Sequence, residues 1–448
     1  MSLQGGDMEH SFDKKTTFWS LIRYTFPTVV MMVFFSLYTI VDGIFISRFV
    51  GANALSSTNI VYPLVGLLLG ISVMFATGGS AIVARLMGEK REEEAREAFT
   101  LIISTVAVVG IVLGILGVVF TIPLIKALGA TPVLYEYCQT YASIMMWFAP
   151  IIMLKMFFDY FLVTAGKPTI GLISAVLGGV INMVLDYVFI VPMNMGIAGA
   201  ALATCIGYTL PCIIGLSVFL NKKNSLYFVK VKLRWRYIKE SAFNGFSEMV
   251  TQISGAITTY LYNIVMLRYL GEDGVAAITI VLYVQFLLVA AHLGFTSGVA
   301  PHISYNYGKD NKEELKNIMK HSMVFIGILS LVSFGVSIAM SSTLVGIFTP
   351  RGEAVYDIAL YGFQLFSIAF IFCGLNIFTS GMFTAFSNGK VSALVSVLRT
   401  LVFVVIGLVV LPTMLGVNGV WLVIPFAEIT TGIIAVIYLR KGKKMYGY

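Results

Sequence analysis

From Phe18 to Leu439 the chain alternates long apolar runs with short polar breaks, and each run reaches or exceeds the roughly 20 helical residues that cross a hydrocarbon core. Breaks at charged clusters and at Gly, Pro and Asn turns divide the pattern into twelve predicted helices, at about 18–46, 54–84, 98–123, 133–163, 169–191, 197–220, 238–267, 274–303, 319–347, 354–385, 391–412 and 417–439. Membrane β-strands would read instead as segments of about ten residues alternating apolar and polar. These runs are continuously apolar, so the predicted fold is an all-α integral membrane protein of twelve transmembrane helices. Several runs exceed what a perpendicular helix needs, which predicts tilt. Residues 1–17 are polar and the first run is too long for a cleaved signal segment, so it is expected to remain as helix 1.

The chain also resembles itself at a shift of 220 residues: Gly51 aligns with Gly271, Gly88 with Gly308, Tyr141 with Tyr361, Pro192 with Pro412, Gly196 with Gly416 and Gly199 with Gly419. Six helices make one unit. An even number returns the chain to the same side of the membrane, so the units are two parallel six-helix repeats, a plan suited to alternating access. The predicted organisation is a tail at 1–17, a first lobe at 18–220, a linker at 221–237, a second lobe at 238–440 and a tail at 441–448.

Composition agrees with a membrane bundle, since 58% of residues are hydrophobic and 12% charged, against about 25% charged in a soluble domain. The net charge of +8 does not point to nucleic acid, because no basic patch lies on a soluble domain. The basic residues report orientation instead. Of 30 Lys and Arg, 24 fall on one side of the predicted bundle, Lys14 and the Lys222 to Lys239 group among them. Only Arg48, Lys126, Arg268 and Arg351 fall on the other, and Lys155 and Arg399 inside spans, so both termini are expected in the cytoplasm. Cys138, Cys205, Cys212 and Cys373 have no C-x-x-C spacing, so neither a metal site nor a disulfide framework is indicated. No HExxH or GxSxG signature appears, and no enzymatic activity is expected.

Inside the spans the ionisable side chains are Asp42, Lys155, Asp159, Asp186, Glu248, His292, Arg399 and Glu428. Each is costly in hydrocarbon unless it meets a partner or a wet cavity. Asp42 lies six residues before Arg48 and Asp186 six before Pro192, which sets both acids at similar depth in the first lobe. Tyr38 and Asn182 each precede their acid by four residues and share its helical face. Two carboxylates with neutral oxygen ligands can hold a proton, or a sodium ion on Asp42, Asp186 and Asn182. At the repeat shift Asp42 maps to Tyr262 and Asp186 to the apolar stretch from Ile406, so ion coupling belongs to the first lobe. Glu248, with Gln252 one turn later, is a candidate for a cationic substrate or a second ion. Lys155 and Asp159 at i,i+4 read as a neutralising structural pair, and Glu428 is a partner for Arg399. His292 reads as a packed, hydrogen-bonded imidazole. Pro27 inside predicted helix 1 is expected to kink or hinge it.

The segments VDGIFISRFVG at 41–51, ARLMGEKREEEA at 84–95, TAGKP at 164–168, INMVLD at 181–186, PHISYNYG at 301–308 and TAFSNGK at 384–390 together resemble the multidrug and toxic compound extrusion (MATE) family in its DinF-like and MepA-like branch. The resemblance runs along essentially the whole chain. It implies two V-shaped lobes in the cytoplasmic (inner) membrane of a prokaryote and export of amphipathic cations driven by H+ or Na+ entry, with no cofactor. It also implies a cation site at Tyr38, Asp42, Asn182, Asp186 and Thr204 and bending at Pro27. Glu248 matches one acid of the NorM-like branch, but GLNIFTSGMFTAFS at 374–387 lacks the second. The expected partners are small-molecule amphipathic cations and membrane lipids, and a self-contained pair of lobes is expected to work as a monomer. The nearest alternative is a lipid-linked oligosaccharide flippase, which would line its cavity with several cations, whereas only Lys155 and Arg399 lie within the spans.

Overall fold

Twelve membrane crossings are present among the described residues, although they are not twelve unbroken helices. A computed structural model describes Phe12 and residues 15–448; most of the predicted 1–17 tail, Lys14 included, lies outside the described residues. Helix α1 (Phe18–Phe45) is prolonged by a π turn at Ile46–Val50, and α2 (Ala52–Gly88) and α3 (Glu92–Val119) follow. The fourth crossing, predicted as one run over 133–163, is bent by 59° between Tyr135–Trp147 and Ala149–Thr164, and the two halves together are α4. Pro150 stands in the first turn of the second half, where its missing N–H and its ring preclude a continuous ladder from the first half. Helices α5 (Pro168–Ile190) and α6 (Gly196–Leu220) complete the first six.

The next helical run, Trp235–Gly308, has 74 residues, roughly 110 Å at 1.5 Å per residue against a hydrocarbon core of about 30 Å. It is two crossings. Gly271 separates them at φ 65°, ψ −151°, a conformation that a Cβ atom disfavours. Its repeat equivalent, Gly51, also has positive φ (117°) and stands at the corresponding joint between α1 and α2. Helix α7 therefore covers 235–270 and α8 covers 272–308. Helices α9 (Lys312–Ala339), α10 (Ala354–Ala385, with a 3-10 turn at Ser367–Ala369), α11 (Gly389–Leu415, with a π turn at Leu398–Val402) and α12 (Val423–Tyr446) complete the second six. Helix α12 runs through most of the segment predicted as a 441–448 tail. Its end is anchored by Tyr446, whose ring stacks on Phe386 at 4.2 Å and whose hydroxyl accepts from Asn388 Nδ2 at 2.9 Å.

Each half has its own apolar core. Phe99, Phe157, Phe161 and Phe219 fill the first, and Trp421, Phe363, Phe366 and Phe370 the second. The two lobes meet through α1 and α2 against α7 and α8, where small residues admit neighbouring backbone, as in other membrane helix pairs. A Cβ on Gly78 of α2 would strike the Ser241 carbonyl of α7; a Cβ on its equivalent Gly298 of α8 would strike the Thr28 hydroxyl of α1. Where α2 meets α8, Gly88 faces the Tyr305 carbonyl and Gly308 faces the Arg85 carbonyl. Residues 85 and 305, like 88 and 308, are repeat equivalents, so this contact lies on the pseudo-two-fold axis.

At the other ends the same four helices diverge. A cavity of about 930 Å³ opens there between Ile40, Ser47 and Arg48 on the first lobe and Tyr260, Glu272 and Tyr283 on the second. The lobes thus form a V, closed at the Gly88/Gly308 end and open at the Arg48/Glu272 end. Replacing Gly88 by leucine should overpack the closed end by about 1–3 kcal/mol. Spin labels at positions 90 and 310, exposed equivalents just beyond it, should move apart in that variant by double electron–electron resonance. An unchanged separation would show that the glycine contact does not hold the V shut.

Candidate ion-coupling site

Helix α5 brings the first lobe's acids together because two glycines let it lie close to both neighbours. A Cβ on Gly179 would strike the Phe34 ring of α1, and a Cβ on Gly178 would strike the Gly207 carbonyl of α6. Asp186 and Asn182, one turn apart on α5, therefore face Asp42 on α1 and Thr204 on α6. The Asp42 and Asp186 carboxyl groups are within hydrogen-bonding reach of each other. Asn182 Nδ2 donates to Thr204 Oγ1 at 3.3 Å, and Tyr38, one turn before Asp42, shares a hydroxyl contact of 3.4 Å with Tyr208 of α6. The five residues predicted to bind a cation, Tyr38, Asp42, Asn182, Asp186 and Thr204, thus occupy one chamber between α1, α5 and α6.

The chamber is largely buried, and its carboxylates are short of donors. Asp186 is fully buried, Asn182, Tyr38 and Thr204 are buried, and Asp42 is half-buried with Oδ1 shielded from solvent. Asp42 Oδ1, both Asp186 carboxylate oxygens and Asn182 Oδ1 have no hydrogen-bond donor among the described residues. Leaving such acceptors unpartnered costs on the order of 1–3 kcal/mol each, and more for a carboxylate. Carboxylate, amide and hydroxyl oxygens are ligands for a hard cation, and two carboxylates can share one proton. Among the described residues no three His, Cys, Asp or Glu side chains gather as a metal cluster, and the donor set here is oxygen alone.

Lys155, buried on α4, does not neutralise the pair. Its Nζ lies 2.7 Å from Asp159 Oδ2 and 5.1 Å from the ring centroids of Phe35 and Tyr208. The i,i+4 pair is present as expected, and it stands beside the chamber through Tyr208. Sequence reasoning missed two residues here. Tyr208 follows Thr204 by one turn on the same face of α6, a spacing that would have found it. Tyr141, on the first half of α4, is near enough to feel both carboxylates, but the bend that brings it there has no signal beyond Pro150.

Helix α1 runs through Pro27 without a break, although the proline forfeits the bond to the Arg23 carbonyl; the hydroxyls of Thr25 and Thr28 donate to the Leu21 and Thr25 carbonyls at 2.9 and 2.6 Å. The irregularity in this helix is the π turn four residues after Asp42, and such turns cluster at functional sites. The two faces of α1 also differ. Ile40 and Ile44 lie about 200° around the helix from Asp42 at 3.6 residues per turn and line the open cavity, while Asp42 faces α5.

In the second lobe the equivalents of Asp42 and Asp186 are a fully buried Tyr262 and Ile406, and no matching acid chamber forms. The polar centre there is different: Arg399 Nε lies 2.8 Å from Glu428 Oε1, and Asn376 Nδ2 donates to Glu428 Oε2 at 2.7 Å. Glu248 is within electrostatic reach of Arg399, whereas Gln252 packs beside Gly70 of α2. His292 contacts Ser330 Oγ at 3.4 Å and the Leu288 carbonyl at 3.3 Å.

The pattern defining the MatE family matches residues 27–188 and again 248–409, which is once per lobe. The multidrug export protein MepA of Staphylococcus saprophyticus is 23% identical over 415 residues, 92% of this chain and 89% of its own. MepA of Staphylococcus aureus strain RF122 is 22% identical over 440 residues, 96% of each chain. A solved outward-facing conformation of a multidrug resistance MATE family transporter of the MOP superfamily superposes with a TM-score of 0.90, at 20% identity and 99% coverage of both chains.

Removing Lys155 alone should be damaging, because it strands the buried Asp159 carboxylate. The Lys155→Ala variant should lose about 3–5 kcal/mol of stability, read as a lowered melting temperature in detergent, and K155L/D159L should recover most of it. Equal losses in the single and double variants would rule out simple mutual neutralisation.

Proposed function

We propose that this chain, which belongs to the MatE family, is a secondary active exporter that antiports amphipathic, mostly cationic small molecules against inward H+ or Na+. The reading takes its cargo class from the multidrug export proteins it resembles over nearly its full length. Its mechanism rests on one observation: α1 is a wall with the acid pair on one face and the open cavity on the other.

In this reading the lobes at 18–220 and 238–440 rock as two bodies in the cytoplasmic membrane of a prokaryote. Both termini and the Gly88/Gly308 end are cytoplasmic, and the open cavity faces outside. One protomer suffices, since its own two lobes enclose the pathway. Asp42 and Asp186 repel each other until a cation entering from outside occupies them with Asn182, Tyr38 and Thr204. Occupation draws α1 toward α5, the π turn at Ile46–Val50 absorbs the change in register, and the face carrying Ile40, Ile44 and Ser47 is remade so that cargo leaves. Linkage then requires that cargo and ion disfavour each other's binding equally. Pro27, which lacks one rung of the helix ladder, is the point in α1 where bending meets least resistance. Glu272 and Glu353 at the cavity favour cationic cargo over anionic. Transport of this kind needs no covalent chemistry and no cofactor.

Asp42→Asn and Asp186→Asn should each reduce gradient-driven efflux from proteoliposomes at least ten-fold while expression and fold persist, under an imposed pH or sodium gradient, whichever drives the native protein. Undiminished efflux in either variant would refute the assignment. A cysteine at position 223 should react with an impermeant maleimide in inside-out vesicles and not in intact cells; the reverse pattern would invert the orientation.

A further inference from the structure

Between α6 and α7 the chain crosses from one lobe to the other over 221–234 without regular structure, yet its first part is fastened to the first lobe. Leu226 is buried, Phe228 stacks on Phe99 at 5.4 Å, and the Phe228 N–H donates to the Phe219 carbonyl at 3.0 Å. The Val229 N–H donates to Thr100 Oγ1 at 3.1 Å, and Arg96 Nε donates to the Ser225 carbonyl at 2.9 Å.

From Lys230 to Arg234 the sequence KVKLR alternates with a period of two, the signature of an extended segment with two unlike faces, and Trp235 follows as the first residue of α7. The basic face turns to the acidic first turns of α3: Lys232 pairs with Glu97 at 2.5 Å, and Arg234 with Glu97 at 3.1 Å and Glu94 at 3.4 Å. The apolar face points away from the protein. Val231, Leu233 and Trp235 are 48%, 63% and 62% exposed. Lys222, Lys223 and Lys230 are exposed beside them and form no ion pair among the described residues.

This segment joins the ends of two membrane crossings, and the α3 residues that hold it stand at the end of a third, so it lies at headgroup depth. Tryptophan and basic residues are the side chains enriched at that depth, and anionic headgroups complement lysines that form no ion pair among the described residues. We infer that residues 230–236 form an interfacial strap that inserts Val231, Leu233 and Trp235 at the headgroup–acyl boundary, while Lys222, Lys223 and Lys230 take the phosphate of an anionic phospholipid. The strap keeps the linker in register with the first lobe, leaving the joint to the second lobe at the start of α7. The inference rests on the membrane-spanning reading but not on cargo, ion or sidedness.

The test uses the full chain with Trp19 and Trp147 replaced by phenylalanine, compared with the same protein also carrying Trp235→Phe, so that the buried Trp421 cancels in the difference. In bilayers with brominated lipid in both leaflets, the Trp235 emission should be quenched severalfold more than by aqueous iodide. Replacing phosphatidylcholine by phosphatidylglycerol should increase that quenching, and K222Q/K223Q/K230Q should lower the preference for phosphatidylglycerol about two- to five-fold per lysine. Those three side chains form no ion pair among the described residues, so an unchanged melting temperature in the triple variant is expected. Trp235 emission open to iodide and indifferent to brominated lipid would overturn the strap and indicate a surface facing water or a soluble partner. Quenching equal in the two lipids would overturn the anionic contact.

Discussion

The structure depends on an imbalance of charge in a place that does not tolerate one. In the first lobe Asp159 and Asp186 are buried and Asp42 is half-buried, and the single lysine among them is held by Asp159 at 2.7 Å. Asp42 and Asp186 are left facing each other with acceptors that no donor among the described residues satisfies. Hydrocarbon does not supply donors, so the balance has to come from outside the polypeptide. In the second lobe Arg399 answers Glu428, to which Asn376 also donates, and Glu248 stands within electrostatic reach of the same guanidinium. On the antiport reading proposed above, this difference makes the first lobe the one that responds to an ion.

That responsiveness matters because of how the helices are packed. Gly178 and Gly179 bring α5 against α6 and α1, so a change of charge at Asp186 is felt on α1 at contact distance. The opposite face of α1 is the wall of the cleft. The lobe interface is also glycine-lined, at Gly78, Gly88, Gly298 and Gly308, and tight backbone packing of this kind favours discrete arrangements over gradual deformation. On the antiport reading, occupancy of one chamber is thereby converted to a choice between lobe positions.

Much of this was legible in the residues. Hydropathy fixed the number of crossings, because a run of apolar residues in lipid has few alternatives to helix, and the 220-residue shift fixed the parallel halves. The acid chamber followed from depth and i,i+4 spacing, since Asp42 with Tyr38 and Asp186 with Asn182 are local relations on known helices. What escaped was of two kinds. The 59° bend in α4 and the π turns at Ile46–Val50 and Leu398–Val402 are resolved by tertiary packing, and apart from Pro150 no local pattern marks them. The strap at 230–236 looked like a featureless basic linker, because the acids that sort its two faces lie more than a hundred residues earlier at Glu94 and Glu97. Pro27 shows the converse: the local rule is sound, yet the helix continues through it because neighbouring turns are held by packing and by the Thr25 and Thr28 hydroxyls.

The contact of Gly88 and Gly308 across the pseudo-two-fold has a further consequence. Two separate copies of a six-helix subunit would make the same contact, but any residue change would then appear on both sides of the axis. Joined in one polypeptide, the copies diverge independently: Arg399 and Glu428 stand where the first copy has Gly179 and Tyr208. The covalent union permits the two halves to carry unlike polar centres, an acid pair in the first and an Arg399–Glu428 pair in the second.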